Sequence, residues 1–191
     1  MTEPQCLQQN MDIAFDQFIE RCQQFWLKNG FPRIEDDPLW PSCCQRNEPV
    51  DGWIEWQPVL RQEYVDFSAT ESALGIEFCD SVKRFYGRYY SDAIEARFEQ
   101  LNLTLVQAWN DQDTSRLQEN LIAHILMQRR LRQPETLFIA ATQDDMRVIS
   151  ILNGTGEVLL EVLGKKNQRQ ILATNLVVFL EHLVPIHLGD E

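Results

Sequence analysis

The chain has 191 residues, with 44% hydrophobic and 24% charged residues and a formal net charge of −12. That length and apolar fraction fit one globular domain and exclude a disordered tail protein. The excess of acid disfavours nucleic acid, which needs clustered Lys and Arg, and also anionic lipid.

Met1 to Gln5 has neither a basic nor an apolar leader region, so the expectation is a cytosolic protein without a secretory signal. The first element is a helix: Ile13, Phe15, Phe18, Ile19, Cys22, Phe25 and Trp26 recur at helical spacing until Gly30 and Pro32 stop the run. Residues 31–67 follow as an acidic segment rich in Pro and Trp, read as loops with one short strand near Trp53–Gln57. A second helical stretch covers about Ser68–Tyr90, with a break near Gly75. Ala93–Glu99 and Leu103–Trp109 read as two strands joined by a turn.

Asn110-Asp111-Gln112-Asp113 supplies cap residues for the strongest helix, Thr114 to Leu131, which ends on Arg129 and Arg130 before Pro134. Leu137–Thr142 and Val148–Leu152 are strands, and Asn153-Gly154-Thr155-Gly156 turns the chain into a third, Glu157–Leu163. After a polar turn at residues 165–169, Leu172, Leu176, Phe179, Leu180 and Leu183 have the spacing of a final helix. A tail, 186–191, closes the chain. The expected fold is a single α+β domain: a mostly antiparallel sheet of about five or six strands with flanking helices.

Chemical motifs are scarce. The three histidines lack H-x-x-x-H or H-E-x-x-H spacing, the acidic pairs lack the calcium-loop pattern, and the five cysteines, Cys6, Cys22, Cys43, Cys44 and Cys79, read as free thiols. There is no G-x-S-x-G elbow, P-loop or dinucleotide fingerprint. The expectation is a protein without cofactor, metal or catalytic constellation. One anomaly remains: residues 35–80 hold 11 acids against only Arg46 and Arg61, interleaved with Trp40, Trp53, Trp56, Tyr64 and Phe67. Composition leaves two readings open, a solvated face that aids solubility or a patch that steers and then packs against a basic partner.

Several stretches, read together, resemble a known family. They are Trp56-Gln57-Pro58, Leu103-Thr104-Leu105-Val106-Gln107-Ala108-Trp109, Gln118-Glu119-Asn120-Leu121-Ile122 and Pro134-Glu135-Thr136-Leu137-Phe138-Ile139-Ala140. Gly156-Glu157-Val158 and Leu172-Ala173-Thr174-Asn175-Leu176 extend the match towards the C-terminus. From about Trp53 to Pro185 the chain resembles the Syd family, the SecY-interacting proteins of gamma-proteobacteria within the SUKH superfamily; the first 50 residues match loosely.

The resemblance implies a SUKH-like fold and a non-enzymatic, monomeric protein at the cytoplasmic side of the inner membrane. Such a protein is held there by SecY rather than by lipid insertion. It also implies an acidic concave groove that receives the basic cytoplasmic loops of SecY, with a regulatory or quality-control role. Glu71, in Ala69-Thr70-Glu71-Ser72-Ala73, falls where the family pattern has an acid. Asp51, Glu55, Glu63, Asp66, Glu77 and Asp80 join it as partner-binding candidates on charge clustering alone. Reversing the charge of Glu63, Asp66 and Glu71 together is expected to abolish binding and leave the fold intact. The alternative is an immunity-type SUKH protein that neutralises a basic toxin through the same acidic surface.

Overall fold

A computed structural model describes residues 3–165 and 168–188, with side chains from residue 10 onward. The side chain of Cys6, and Lys166, Asn167 and the last three residues of the expected tail, lie outside what is described. Helix α1 runs Glu3–Asn29 and buries Phe15, Phe18, Ile19, Cys22 and Trp26 on one stripe. Strands β1 (Arg33–Glu35) and β2 (Trp53–Glu55) pair antiparallel as a small ribbon, and β3 (Val59–Leu60) pairs with β4 (Tyr89–Tyr90). Between these lie α2 (Ser68–Leu74) and α3 (Asp80–Gly87).

The main sheet contains β5 (Ile94–Phe98), β6 (Leu101–Leu105), β7 (Thr136–Thr142), β8 (Arg147–Leu152), β9 (Val158–Val162), β10 (Arg169–Ala173) and β11 (Val184–Pro185). Helix α4 (Asp111–Arg130) connects β6 to β7, and α5 (Leu176–His182) connects β10 to β11. All seven strands pair antiparallel, in the order β10-β9-β8-β7-β6-β5-β11. The α+β class therefore holds, with more strands than the five or six expected.

Register sorts the side chains to the two faces of the sheet. Arg169, Glu161, Val148, Ala141, Thr104 and Glu95 stand directly opposite one another across six strands, so they share one face. Helix α4 lies on that face, because His124 approaches Glu161 and stands edge-on to Phe138. The opposite face carries Ile94, Ala96 and Phe98 from β5, and Phe98 stacks on Phe179 of α5 at 4.9 Å. Burying such rings contributes about 1.5–3 kcal/mol each relative to exposure.

Charge fixes α1 to its neighbours. Arg88 grips Asp16 through two nitrogens, Tyr89 donates to Asp16 at 2.7 Å, and Arg84 reaches Asp12 at 2.6 Å. The Arg88 pairing holds the Asp16 carboxyl below its usual range even though burial pushes it the other way. Farther along α1, Arg21 donates to the carbonyl of Leu180 at 2.7 Å, placing a cation at the end of α5.

Several expected elements are redrawn. The helical stretch expected over Ser68–Tyr90 does break near Gly75, which takes a left-handed φ of 65° and ends α2; the chain re-enters a helix at Asp80 and leaves it at Gly87, so Tyr89 and Tyr90 belong to β4 instead. The strand read as Leu103–Trp109 is Leu101–Leu105. The final helix does not include Leu172: residues 169–173 form an edge strand, and Asn175 caps α5 by accepting from the Val178 amide at 3.0 Å. Ile186 and Leu188, in the expected tail, are tied to β5 through the Glu95 carbonyl (3.3 Å) and carboxylate (2.8 Å).

Candidate partner-binding surface

Helix α4 covers the β7 side of its sheet face, leaving Glu95 and Thr104 of β5 and β6 only partly covered and Arg97 exposed. The β1–β2 ribbon and the end of α1 rise beside that strip. Between them lie two concavities of about 380 and 290 Å³ that share Ile34 and Asp92. The first is lined by Trp26, Arg33, Trp56, Glu95 and His187, the second by Glu35, Asp37, Trp40, Trp109 and Asp113. Five carboxylates thus line two adjoining hollows, together called here the acidic hollow.

Tryptophans build its walls. Trp26 and Trp56 meet edge-on at 5.6 Å, Trp56 and Trp109 at 6.3 Å, and the Trp109 indole donates to the Trp40 carbonyl at 2.9 Å. Trp56 and Trp109 are buried, which places them in the scaffold rather than on the surface. Asn110 accepts from the Asp113 amide and donates to the Pro41 carbonyl, while Asp113 accepts from the Trp109 amide. This reciprocal cap fixes the start of α4 against the proline-rich loop. Asp92 sits where the two hollows join. Burial pushes its carboxyl above the usual range, and the charge of Asp113 adds to the rise.

The seven acids singled out from the sequence lie elsewhere. Glu71, Glu77 and Asp80 converge on Lys83, at 3.1, 3.7 and 3.8 Å. Burial works to lower the Lys83 ammonium, but Glu71, with Asp80 and Glu77, outweighs it and leaves the pKa raised. Glu71 also accepts from the Phe78 amide at 2.7 Å, so it organises the chain between α2 and α3. Asp66 accepts from the amide and hydroxyl of Ser68 at the entry to α2, and those bonds lower its pKa. Glu55 stands across from Arg33 and pairs loosely with Arg46 at 3.9 Å; Asp51 occupies the turn before β2. Glu63 lines a separate hollow with Cys43, Arg61 and Tyr90. None of the seven is among the residues lining the acidic hollow.

Of the residues that do line it, Glu35 and Asp37 fall inside the acidic window, whereas Asp92, Glu95 and Asp113 lie beyond it. Counting charge along the chain cannot find them, since strand register and the α4 cap bring them together. Alternation in β5 is the available signal: Glu95 and Arg97 are the polar positions between buried Ile94, Ala96 and Phe98. Among the described residues no cluster of three or more His, Cys, Asp or Glu is arranged to hold a metal ion, and no helix is long and apolar enough to cross a membrane. Cys22, Cys43, Cys44 and Cys79 are free thiols, with Cys44 pushed up to about 12 mainly by burial.

Comparison with known proteins gives the family of this chain. The family model described as Syd protein (SUKH-2) matches residues 9–185. Protein Syd of Psychromonas ingrahamii is 43% identical over 171 residues, covering 88% of this chain and 92% of that protein. Protein Syd of Pseudoalteromonas atlantica is 44% identical over 176 residues (90% and 94%), and that of Aliivibrio salmonicida 44% over 180 residues (93% and 97%). With a family model spanning nearly the whole described domain and relatives matched end to end, this chain belongs to the Syd protein (SUKH-2) family.

Proposed function

We propose that this protein binds the basic cytoplasmic loops of SecY in the acidic hollow and acts there as a non-enzymatic regulator or quality-control factor. The supporting observation is the meeting of Glu35, Asp37, Asp92, Glu95 and Asp113 around two adjoining hollows, with Arg33 and His187 as the basic groups among their lining residues. Cytoplasmic loops of membrane proteins carry an excess of Lys and Arg. A monomer with a surplus of acid is repelled by anionic headgroups but drawn to such loops, so it sits at the cytoplasmic side of the inner membrane through its protein partner. Asp51, Glu55, Glu63 and Asp66, with the Lys83-centred group of Glu71, Glu77 and Asp80, add to the negative field from outside the hollow.

The test is binding to purified SecY, with and without its partner subunits, over a salt series. Affinity is expected to fall at least tenfold between about 50 and 300 mM salt, because exposed charges are screened beyond about 8 Å at physiological ionic strength. The pair Asp92→Asn and Glu95→Gln is expected to weaken binding by a similar factor at low salt. Binding that ignores salt and tolerates that pair would rule the hollow out. Capture of a basic toxin in place of SecY would favour the immunity reading.

A further inference from the structure

The β1–β2 ribbon has two unlike faces. Ile34 and Ile54, paired in register, turn inward, with Ile54 buried and Ile34 packed on the core. Arg33, Glu35, Trp53 and Glu55 occupy the other face, and Trp53 stands directly across from Glu35. The Asp51-Gly52 turn, with φ of 52° and 80°, folds Val50 back on Trp53 through two backbone hydrogen bonds of 3.0 and 2.8 Å. Trp53 is left 48% exposed and Val50 62% exposed, side by side and next to Glu35, which is one of the residues lining the hollow.

The inner face alone anchors the ribbon, so packing within the fold leaves much of this outer indole uncovered. Arg33, which donates to the Val50 carbonyl, and Arg46 are outnumbered around it by Glu35, Asp51 and Glu55, and that surplus of acid selects what could cover it. A second copy of the chain would set acid against acid, and nucleic acid or anionic lipid would meet the same repulsion. A cationic segment meets complementary charge at Glu35 and Glu55, and an indole is the best aromatic face for a cation. The fold already makes this contact within itself: Arg116 lies over the Trp40 ring at 4.2 Å, and Arg46 over the Phe31 ring at 3.5 Å. Tryptophan is among the side chains that carry most of the binding energy at protein interfaces.

We infer that Trp53, with Val50, is an apolar anchor beside the acidic hollow, and that the partner is a segment carrying apolar side chains between its lysines or arginines. The inference rests on the basic-partner reading of the hollow and adds a specificity determinant to it. A merely polybasic chain satisfies the carboxylates but leaves the indole wet, whereas a mixed basic and apolar chain satisfies both.

Two synthetic peptides test this, with identical lysine spacing and either leucines or serines between the lysines. The wild-type protein is expected to bind the leucine peptide at least tenfold more tightly than the serine peptide. Trp53→Ser removes that preference without changing the affinity for the serine peptide or its salt dependence. Trp53→Phe, which keeps a ring on the strand, retains most of it. Asp92→Asn weakens both peptides equally and leaves the preference intact. Equal binding of the two peptides by the wild type, or a preference that survives Trp53→Ser, overturns the anchor and spares the hollow. Failure of the wild type to bind either peptide at low salt overturns the basic-partner reading itself.

Discussion

Glu71 and Asp92 show why residue identity alone misleads about role. Both are acids near a helix or strand boundary, yet Glu71 is spent on the Phe78 amide and Lys83, while Asp92 faces the junction of two hollows. Glu71→Ala is expected to destabilise the fold by about 1–3 kcal/mol, as for a partly buried amide left without an acceptor; urea midpoints would measure it. A triple charge reversal that includes Glu71 therefore confounds binding with folding, and Glu71 is better left unchanged when the surface is probed. Sequence could locate surplus acid but not distinguish a carboxylate that ties its own backbone from one that faces open space. That distinction depends on where Gly75 ends α2 and returns Phe78 to Glu71.

Elements with one buried stripe and plain caps were legible. Asn110 and Asp113 announce α4, and Asn153 to Gly156 announce the β8–β9 connection. Asn110→Ala is expected to cost about 1 kcal/mol for the cap, plus the bond to Pro41 that seats the loop beneath Trp40. Because that loop lines the hollow, calorimetry should record weaker partner binding as well as a lower Tm. Two elements misread from the sequence have specific causes. Leu172 and Leu176 are four apart and imitate a helix, but the Asn175 cap between them separates an edge strand from α5. The short strand expected near Trp53 is present as β2, but the proline-rich segment obscured its partner β1 and the tight-turn signal Asp51-Gly52. Short strands of two or three residues leave no periodicity to read.

Across the whole molecule, a buried polar chain joins α4 to the far edge of the sheet. Gln128 donates to His124 Nε2 at 2.9 Å and to the Thr136 hydroxyl; Thr136 donates to Glu161 at 2.6 Å, and Arg169 closes the chain at 3.0 Å. An accepting Nε2 means a neutral imidazole with its proton on Nδ1. Burial lowers the His124 pKa below the ordinary value of 6.5, with Arg169 adding to the fall and Glu161 opposing it. Since the unfolded chain then binds a proton more readily, this group's contribution is complete above about pH 6.5 and lost as pH falls through it towards the depressed folded value. Thermal scans should show Tm falling between pH 7.5 and 5.5, with a shallower fall in His124→Asn. Asp16, depressed from 3.8, adds its own loss only at lower pH.

Helix α4 has a consequence for how this protein meets a partner. Its 20 residues span about 30 Å, with Asp111 and Asp113 at the end that frames the hollow and Arg129 and Arg130 at the other. These side chains oppose the helix macrodipole, with carboxylates at the mouth and, at the back, Arg130 beside an Arg129 that Glu135 already pairs at 2.6 Å. A basic loop would exert a torque on the approaching protein and turn its mouth forward before any atoms touch. Productive encounters then become commoner than random tumbling allows, and they depend on the ionic strength of the solution between the two surfaces.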